Sequence, residues 1–302
     1  MKCFKDIRVL VVGDVILDHY VEGNVSRISP EAPVPILVES NVQYRLGGAA
    51  NVAANAAALG AQVTLVGCVG VDDDAERLED ECKRLYIKTV FLSNLKHTTR
   101  KTRFVAGHQQ ILRVDREAPI DDLEASIERV EKLNHIGSDF DIIIVSDYAK
   151  GVVCPKTMEH LKKSGVPIVV DPKPINAHMY EGVELVTPNL KEAREIVPFA
   201  HNYTHDQLAS RVRLRVGADT LLTLGPDGML LACENHLEHI HAVAQDVYDV
   251  TGAGDTVVAV VSVALASGRS KSTACHLANR AAALVITKLG TATISMADLG
   301  LE

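Results

Sequence analysis

Short apolar runs rich in valine and isoleucine, separated by longer segments of helical character, constrain the fold of this chain most. Strands that are apolar along their whole length are buried on both faces, which is typical of a parallel sheet covered by helices. The predicted strands are 7–12, 63–69, 142–145, 167–170, 185–186 and 220–224, and the predicted helices are 49–59, 74–85, 123–135, 155–164, 189–198, 205–216, 254–266 and 272–288. The pattern predicts an α/β fold with a doubly wound, mostly parallel sheet and helices on both faces.

Two segments interrupt this alternation. Residues 20–46 are too many for a strand-to-helix turn, and in residues 88–114 two strand-like stretches flank Gly107 and His108 like a hairpin. We interpret both as a small antiparallel sheet inserted into the α/β body, serving as an active-site lid, a dimer interface or both. Because 302 residues lie near the upper limit for one core, the prediction is a single domain, 1–302, with lid segments at about 20–46 and 88–114.

The composition argues against several partners. A net charge of −8 provides no overall positive field to attract nucleic acid or an anionic membrane. The longest apolar stretch, 257–266, is far shorter than the roughly 20 residues that span a bilayer. Six scattered cysteines without a CxxC pair, and no recognisable signal peptide, favour a cytoplasmic location.

The motif that carries chemistry is Asp-Val-Thr-Gly-Ala-Gly-Asp at 249–255, which runs directly into an apolar helix. The amides of Gly252, Ala253 and Gly254 lie where a helix begins, unpaired and at the positive end of its dipole, so they form an anion hole. Asp255 would repel phosphate there, but as a base it would take a proton from an attacking hydroxyl while the amides hold the transferring phosphoryl group. The alternative interpretation is that Thr251 or Asp255 merely caps the helix.

Other phosphate-binding motifs are missing. The stretch 268–272 lacks the glycine before lysine that a Walker A loop requires, and Gly13 stands alone after the first strand. The sequence therefore disfavours a P-loop protein and a dinucleotide-binding dehydrogenase.

The chain resembles the PfkB/ribokinase family of kinases nearly from end to end. The similarity rests on the segments 13–18, 47–53, 146–151, 171–173, 187–192 and 247–255. The segment 26–35, Ser-Arg-Ile-Ser-Pro-Glu-Ala-Pro-Val-Pro, is similar to the branch of the family that phosphorylates a heptose 7-phosphate. The resemblance implies the ribokinase-like fold, with Asp255 as the catalytic base and Gly252, Ala253 and Gly254 as its anion hole.

Further site residues follow from the resemblance. Glu192 is implied to organise Mg²⁺ through water, which suits an ion that prefers oxygen ligands and retains waters; from the residues alone it would be a helix residue favoured by the dipole. The implied nucleotide-binding residues are Asn189, Leu190, Lys191, Glu192, Thr223, Gly225, Gly228 and Asn279. The implied substrate-binding residues are Asp14, Asp18, Arg27, Gly47, Gly48, Asn51, Lys101, Arg103, Gln109, Arg113, Asp147 and Lys173.

Two of these assignments keep an alternative. Lys101 and Arg103 share one face of a strand, where they would grip a phosphate that the sugar already carries, or would simply form a solvated basic edge. Asp14 would hold sugar hydroxyls or would only end a strand.

The implied reaction transfers the γ-phosphoryl group of ATP to the anomeric hydroxyl of D-glycero-β-D-manno-heptose 7-phosphate. The cofactors are ATP and Mg²⁺, with a monovalent cation left open, and the product would serve ADP-heptose synthesis for bacterial surface glycans such as the lipopolysaccharide core. The nucleotidyltransferase activity fused to some relatives would reside on another polypeptide. A homodimer is expected through Val34, Ile36 and Val38 of the lid. The alternatives are another PfkB sugar kinase and a non-catalytic sugar-binding regulator.

Overall fold

The computed structural model describes residues 2–93, 95–107, 109–118, 139–243, 247–288 and 290–301. Its strands are β1 (Arg8–Gly13), β2 (Val15–Ile28), β3 (Pro35–Gly48), β4 (Gln62–Val69), β5 (Lys88–Ser93), β6 (Arg100–Ala106), β7 (Gln109–Arg116), β8 (Ile142–Ser146), β9 (Ile168–Asp171), β10 (Leu185–Val186), β11 (Thr220–Thr223), β12 (Met229–Cys233) and β13 (His236–Ile240). Its α-helices are α1 (Ala49–Ala58), α2 (Asp73–Arg84), α3 (Pro155–Lys163), α4 (Leu190–Ile196), α5 (His205–Val216), α6 (Ala253–Ala266) and α7 (Lys271–Val285).

Nine strands form the large sheet, in the order β13-β12-β11-β10-β9-β8-β1-β4-β5. All neighbours from β11 to β5 are parallel, and β12 and β13 add an antiparallel edge. Alternate residues of β1 enter two cores: Val9 and Val11 pack with α1, α2, α6 and α7, and Leu10 and Val12 with α3, α4 and α5. The predicted doubly wound fold is confirmed; the predicted helix 123–135 lies outside the described residues.

The chain reverses direction across the large sheet between β1 and β8. From β1 the chain proceeds to β4 and β5 on one side, and it later builds β8 to β13 on the other. In an open α/β sheet, ligands bind at such a point, at the carboxyl ends of the strands. The residues directly after β1 and β8 are Asp14 and Asp147. The topology thus places the cleft where the sequence motifs converge.

The lid is a separate four-stranded sheet with the order β3-β2-β6-β7. The prediction of an antiparallel lid is wrong in one respect, because β2 and β6 pair in parallel while the two hairpins β2–β3 and β6–β7 are antiparallel. Both hairpins leave the body in the same direction because the chain returns to the large sheet between them. Residues 88–93, expected in the lid, form the edge strand β5 of the large sheet.

The register of the lid strands assigns its two faces. Asp18, Tyr20, Lys101 and Arg103 lie in rows with Gln43 and Arg45 of β3 and with Arg113 and Asp115 of β7, and we call this set the inner lid face. The opposite face carries His19, whose ring stacks on Tyr44 at 4.6 Å. The same face exposes Val42, Leu112 and Val114.

An ionic clasp fastens the base of the lid to α2. Asp72, the N-cap of α2, accepts hydrogen bonds from the amide and hydroxyl of Thr98, and Arg116 lies 3.2 Å from its carboxylate. Asp74 holds Arg100 at 3.0 Å and Arg116 at 3.2 Å. These part-buried pairs fix the point at which β6 and β7 join the body. In the described part of the chain, no helix is long and apolar enough to cross a membrane.

Candidate active site

The helix α6 begins at Gly252, whose φ of +80° is a left-handed conformation that favours glycine. No side chain caps this helix, so neither Thr251 nor Asp255 is its N-cap. The capping alternative is therefore wrong. The helix begins with Ala253 and Gly254; the amide of Ala253, expected to be unpaired, donates to the carbonyl of Val250 at 3.2 Å, and a side chain added at Gly254 would meet no atom within 4 Å. This open space at a helix N-terminus has the features of an anion hole.

The carboxylate of Asp255 is buried and held from two sides. Asn51 donates its side-chain amide to Oδ2 at 2.7 Å, and the hydroxyl of Tyr148 donates to Oδ1 at 3.0 Å. Asn55 in turn donates to the backbone carbonyl of Asn51 at 2.9 Å and to its side-chain oxygen at 3.3 Å. This bond turns the amide nitrogen of Asn51 toward Asp255, so the geometry fixes the carboxylate with few rotational alternatives.

Burial raises the pKa of Asp255 to about 6, while the hydrogen bonds from Asn51 and Tyr148 lower it. The nearby Asp18 raises this pKa and Lys101 lowers it. A carboxylate with a pKa near 6 is ionised at neutral pH and is a stronger proton acceptor than an exposed aspartate. Asp255 thus has the position and the proton affinity of a general base.

Asp14 and Asp147 organise the loop that carries Tyr148. The carboxylate of Asp14 accepts backbone amides of Tyr148, Lys150 and Val152 at 2.9, 3.0 and 3.2 Å. Asp147 accepts the amide of Ala149 and the side chains of Asn176 and Tyr180. Burial raises the pKa of Asp14, which those amides oppose. In the structure both carboxylates shape the loop, and a direct role of either with the sugar stays a prediction.

The inner lid face closes the cleft above Asp255. Arg103 forms a close ion pair with Asp18, and both side chains are largely buried. The ammonium of Lys101 lies 5.3 Å from the centroid of the Tyr148 ring, and burial lowers its pKa. Gly47 and Gly48 end β3, beside Asp18 and directly before α1. The lid thereby brings a carboxylate and two cations near the base, and the contact of these residues with the sugar and its phosphate stays a prediction.

A second cluster lies at the ends of β9 and β10. Asn189 caps α4 and shares a capping box with Glu192, whose other carboxylate oxygen accepts a 2.5 Å bond from Lys173. Lys173 also lies 5.3 Å from the centroid of the Tyr148 ring. Burial, with Asp255 and Glu192 nearby, raises the pKa of Asp171 well above its usual range. The carboxylates of Asp171 and Glu192 supply oxygen ligands, and a cation bound there would reduce the repulsion between them.

The remaining nucleotide-binding candidates line the next part of the same edge. Thr223 ends β11 and forms an isolated bridge with Asn189, and Gly225 and Gly228 shape the turn into β12. Asn279 on α7 donates to the carbonyl of His241 at 2.8 Å. Leu190 and Lys191 form the first turn of α4. The bridge brings Thr223 beside Asn189, and the contact of these residues with a nucleotide stays a prediction.

Three predicted substrate residues lie away from this centre. Arg27 and Gln109 are exposed on the lid strands, and Arg113, although on the inner lid face, is about half exposed and pairs with Asp115 at 2.9 Å. The described chain contains no cluster of three or more side chains suited to hold a metal ion. Any metal at Glu192 would therefore need ligands from water or phosphate.

Sequence reasoning missed Tyr148, Tyr20 and Arg45. Tyr148 stands in the quoted segment 146–151, yet nothing in the sequence indicates that its hydroxyl reaches a residue 107 positions away. Tyr20 and Arg45 occur on long lid strands, where the alternation of polar residues predicts a shared face but not which face closes on the cleft.

The fold and this site define a carbohydrate kinase, in which a buried carboxylate accompanies an anion hole beneath a β-sheet lid. The chain belongs to the pfkB family of carbohydrate kinases, whose family model matches residues 6–298. It is 45% identical over 309 residues to the D-beta-D-heptose 7-phosphate kinase of Bordetella bronchiseptica, covering 98% of this chain and 96% of that protein. It is 42% identical to the bifunctional protein HldE of Photorhabdus laumondii, over 98% of this chain and 64% of that longer protein.

Solved structures agree with this fold. A ribokinase from Thermotoga maritima superimposes with a TM-score of 0.77 at 22% identity, over 97% of this chain and 98% of that one. Phosphofructokinase-2 from Escherichia coli, in complex with fructose-6-phosphate, gives a TM-score of 0.81 at 20% identity, over 97% of both chains. The ribokinase-like fold with its inserted lid is thereby confirmed.

Proposed function

We propose that this protein transfers the γ-phosphoryl group of ATP to the anomeric hydroxyl of D-glycero-β-D-manno-heptose 7-phosphate, giving the 1,7-bisphosphate. The observation that carries the chemistry is the Asp255 carboxylate, fixed by Asn51 and Tyr148 beside the N-terminus of α6. It accepts the proton of the attacking hydroxyl, while the amides of α6 hold the charge of the transferring group.

The choice of sugar is supported by the relatives and by the lid. The Bordetella relative, named a heptose 7-phosphate kinase, is similar over nearly its whole length. The inner lid face has four cationic side chains, Arg45, Lys101, Arg103 and Arg113, against two carboxylates, in a protein whose net charge is −8. A local surplus of cations above the base suits a sugar that already carries a phosphate.

Glu192 and Asp171 fit the metal that accompanies the nucleotide. Their oxygens are the hard ligands that Mg²⁺ prefers, and it usually retains several waters. Mg²⁺ held there, with water completing its ligands, would supply positive charge that offsets the charge of the nucleotide phosphates. Lys173, paired with Glu192 at 2.5 Å, lies where it can reach a phosphate group instead. A monovalent cation is a further proposed cofactor.

We place this kinase in the cytoplasm, in the synthesis of ADP-heptose for surface glycans such as the lipopolysaccharide core, as a single domain with an inserted lid. The rival functions are phosphorylation of another sugar by the same machinery and sugar binding without catalysis. The fixed, buried Asp255 favours catalysis over binding alone.

A panel of sugars with ATP tests the function. We expect the heptose 7-phosphate to be consumed with a kcat/KM at least about tenfold above those of fructose 6-phosphate, ribose and a nucleoside, since one charge-assisted contact contributes about that factor. Product mass identifies the bisphosphate. Preference for a hexose phosphate would reject the heptose but keep the kinase, and no ATP consumption with any sugar would leave a binding protein.

We also propose a homodimer formed by the lids. Val34 and Val38 expose 51% and 52% of their surface, and Ile36 is partly exposed. None of the three side chains predicted for the interface is therefore fully buried within one chain. Val42, Leu112 and Val114 expose further apolar surface on the face opposite the inner lid face. A sheet with a bare apolar face is covered most simply by a second copy.

Light scattering measures this directly. We expect twice the mass of one 32.6 kDa chain at micromolar concentration. We expect Val38→Glu to give monomers because it places a charge in the interface, whereas Val71→Glu, at an exposed valine next to the N-cap of α2, leaves the dimer intact. A fully active wild-type monomer would contradict the proposal.

A further inference from the structure

One polar atom of the inner lid face is buried without a partner. Tyr20 exposes only 7% of its surface, and no described residue forms a hydrogen bond with its hydroxyl. Buried hydroxyl groups are nearly always paired, because an unmade hydrogen bond in the interior is costly. The hydroxyl of Tyr20 is therefore oriented for a group that the described residues do not supply.

Two guanidinium groups flank the ring of this tyrosine. Arg45 lies 5.1 Å and Arg103 5.2 Å from the ring centroid. Burial raises the pKa of Tyr20, so the hydroxyl stays protonated and available as a donor at neutral pH. A neutral donor between two cations selects a ligand with several negatively charged acceptor oxygens.

The backbone at Gly290 brings these groups together. A Cβ added to Gly290 would overlap Nη1 of Arg45 and lie 3.5 Å from the hydroxyl of Tyr20. The guanidinium and the hydroxyl thus meet where a side chain would otherwise be. The amide of Gly290 donates to Asp249, the first residue of the motif that leads to Asp255. The site lies at the seam between the lid and the body.

Its distance from the base suits one end of a substrate. Asp18, whose charge acts on Asp255, precedes Tyr20 by two residues on β2, about 6.6–6.8 Å along a strand. A sugar whose anomeric hydroxyl faces Asp255 would extend along the inner lid face toward Tyr20. Arg103 is paired with Asp18 and Arg45 donates to Gln43 at 2.9 Å, so the hydroxyl of Tyr20 is the polar group at this end of the cleft that no described residue pairs.

The geometry points to Tyr20 and Arg45, assisted by Arg103, as the subsite that binds the phosphate already carried by the sugar substrate. The inference rests on the proposed function, since it supposes a phosphorylated sugar. Tyr20 and Arg45 would hold the phosphate at the far end of the substrate. Lys101 lies beside Tyr148 and the base, so it is not assigned to this phosphate.

The test compares each sugar with and without its phosphate. We expect Tyr20→Phe and Arg45→Gln each to raise the KM for the heptose 7-phosphate about tenfold, the loss of one charge-assisted hydrogen bond, and to leave kcat/KM for the unphosphorylated heptose within about twofold. Tyr44→Phe and Arg77→Gln are matched controls. Tyr44 lies on the opposite lid face, and Arg77 of α2 lies 4.4 Å from the centroid of its ring. The controls should leave both constants unchanged.

Thermal unfolding without substrate gives a readout apart from activity. Because no described residue pairs with the hydroxyl of Tyr20, Tyr20→Phe should unfold at or above the temperature of the wild type, while the stabilisation by added heptose 7-phosphate shrinks. If the wild type shows no preference for the phosphorylated sugar, the proposed function fails. If it does and both variants retain that preference in full, this inference alone is overturned.

Discussion

Asp255→Asn is expected to lower kcat by about a thousandfold, within the range that general-base catalysis contributes. The substituted side chain has the same size but cannot accept the proton of the attacking hydroxyl. The amide nitrogen that replaces one carboxylate oxygen cannot accept a hydrogen bond. Either Asn51 or Tyr148, which both donate to the carboxylate in the wild type, therefore loses its acceptor. The anion hole is built from backbone amides of α6 and remains, so the dissociation constant for ATP should change little.

Steady-state kinetics and calorimetric titration with ATP separate these two effects. Asp206→Asn is a suitable control, because this aspartate lies about half exposed on α5 and pairs with His239 at 2.9 Å, far from the motif in the chain. Turnover of Asp255→Asn within about threefold of the wild type would mean that another group is the base. A loss of ATP binding equal to the loss of turnover would instead indicate a collapsed anion hole.

Tyr148→Phe is expected to shift the acidic limb of the kcat/KM profile upward. In the wild type, activity should decrease as the pH drops below about 6, because the pKa of Asp255 is about 6. Burial raises this pKa, and the hydrogen bonds from Asn51 and Tyr148 lower it. The hydroxyl of Tyr148 stabilises the charged form, and a hydrogen bond to a charged group is worth about 1.5–3 kcal/mol, or about one to two pKa units. Its removal raises the pKa, so the variant should be about 5- to 50-fold slower at pH 6, where the wild-type base is half ionised, and recover as the pH rises.

The pH dependence distinguishes positioning of the base from a merely structural role. Charged groups that act on Asp255, namely Asp18 and Lys101 from the lid and Asp171 from β9, are unchanged in this variant. Tyr203→Phe provides the matched control, with its ring 4.1 Å from Arg211. A loss of the same size at every pH would show that Tyr148 only supports the loop.

Most of the body could be predicted from the sequence because its signal is local. Apolar runs such as 142–145 are buried on both sides, and the glycines before Asp255 mark a helix that begins without a side-chain cap. Asp255 was found for the same reason: the base and its anion hole lie within four residues.

The parts that sequence reasoning missed depend on long-range contacts. The parallel pairing of β2 with β6 results from the route of the chain through α1, β4, α2 and β5, which no local pattern records. The bond from Tyr148 to Asp255 requires Asp14 to fold the intervening loop. The grouping of Tyr20 and Arg45 appears only when the strand register and the backbone at Gly290 are known.

The pairing of all four lid strands into one mixed sheet has a mechanical consequence. Hydrogen bonds between neighbouring strands make the lid a rigid unit. The ion pairs of Asp72 and Asp74 with Arg100 and Arg116 hold one edge of it to the body, so the lid would tilt as a whole about that edge. Any tilt of the lid would carry Asp18, Lys101 and Arg103 together, because they lie on paired strands of the same sheet.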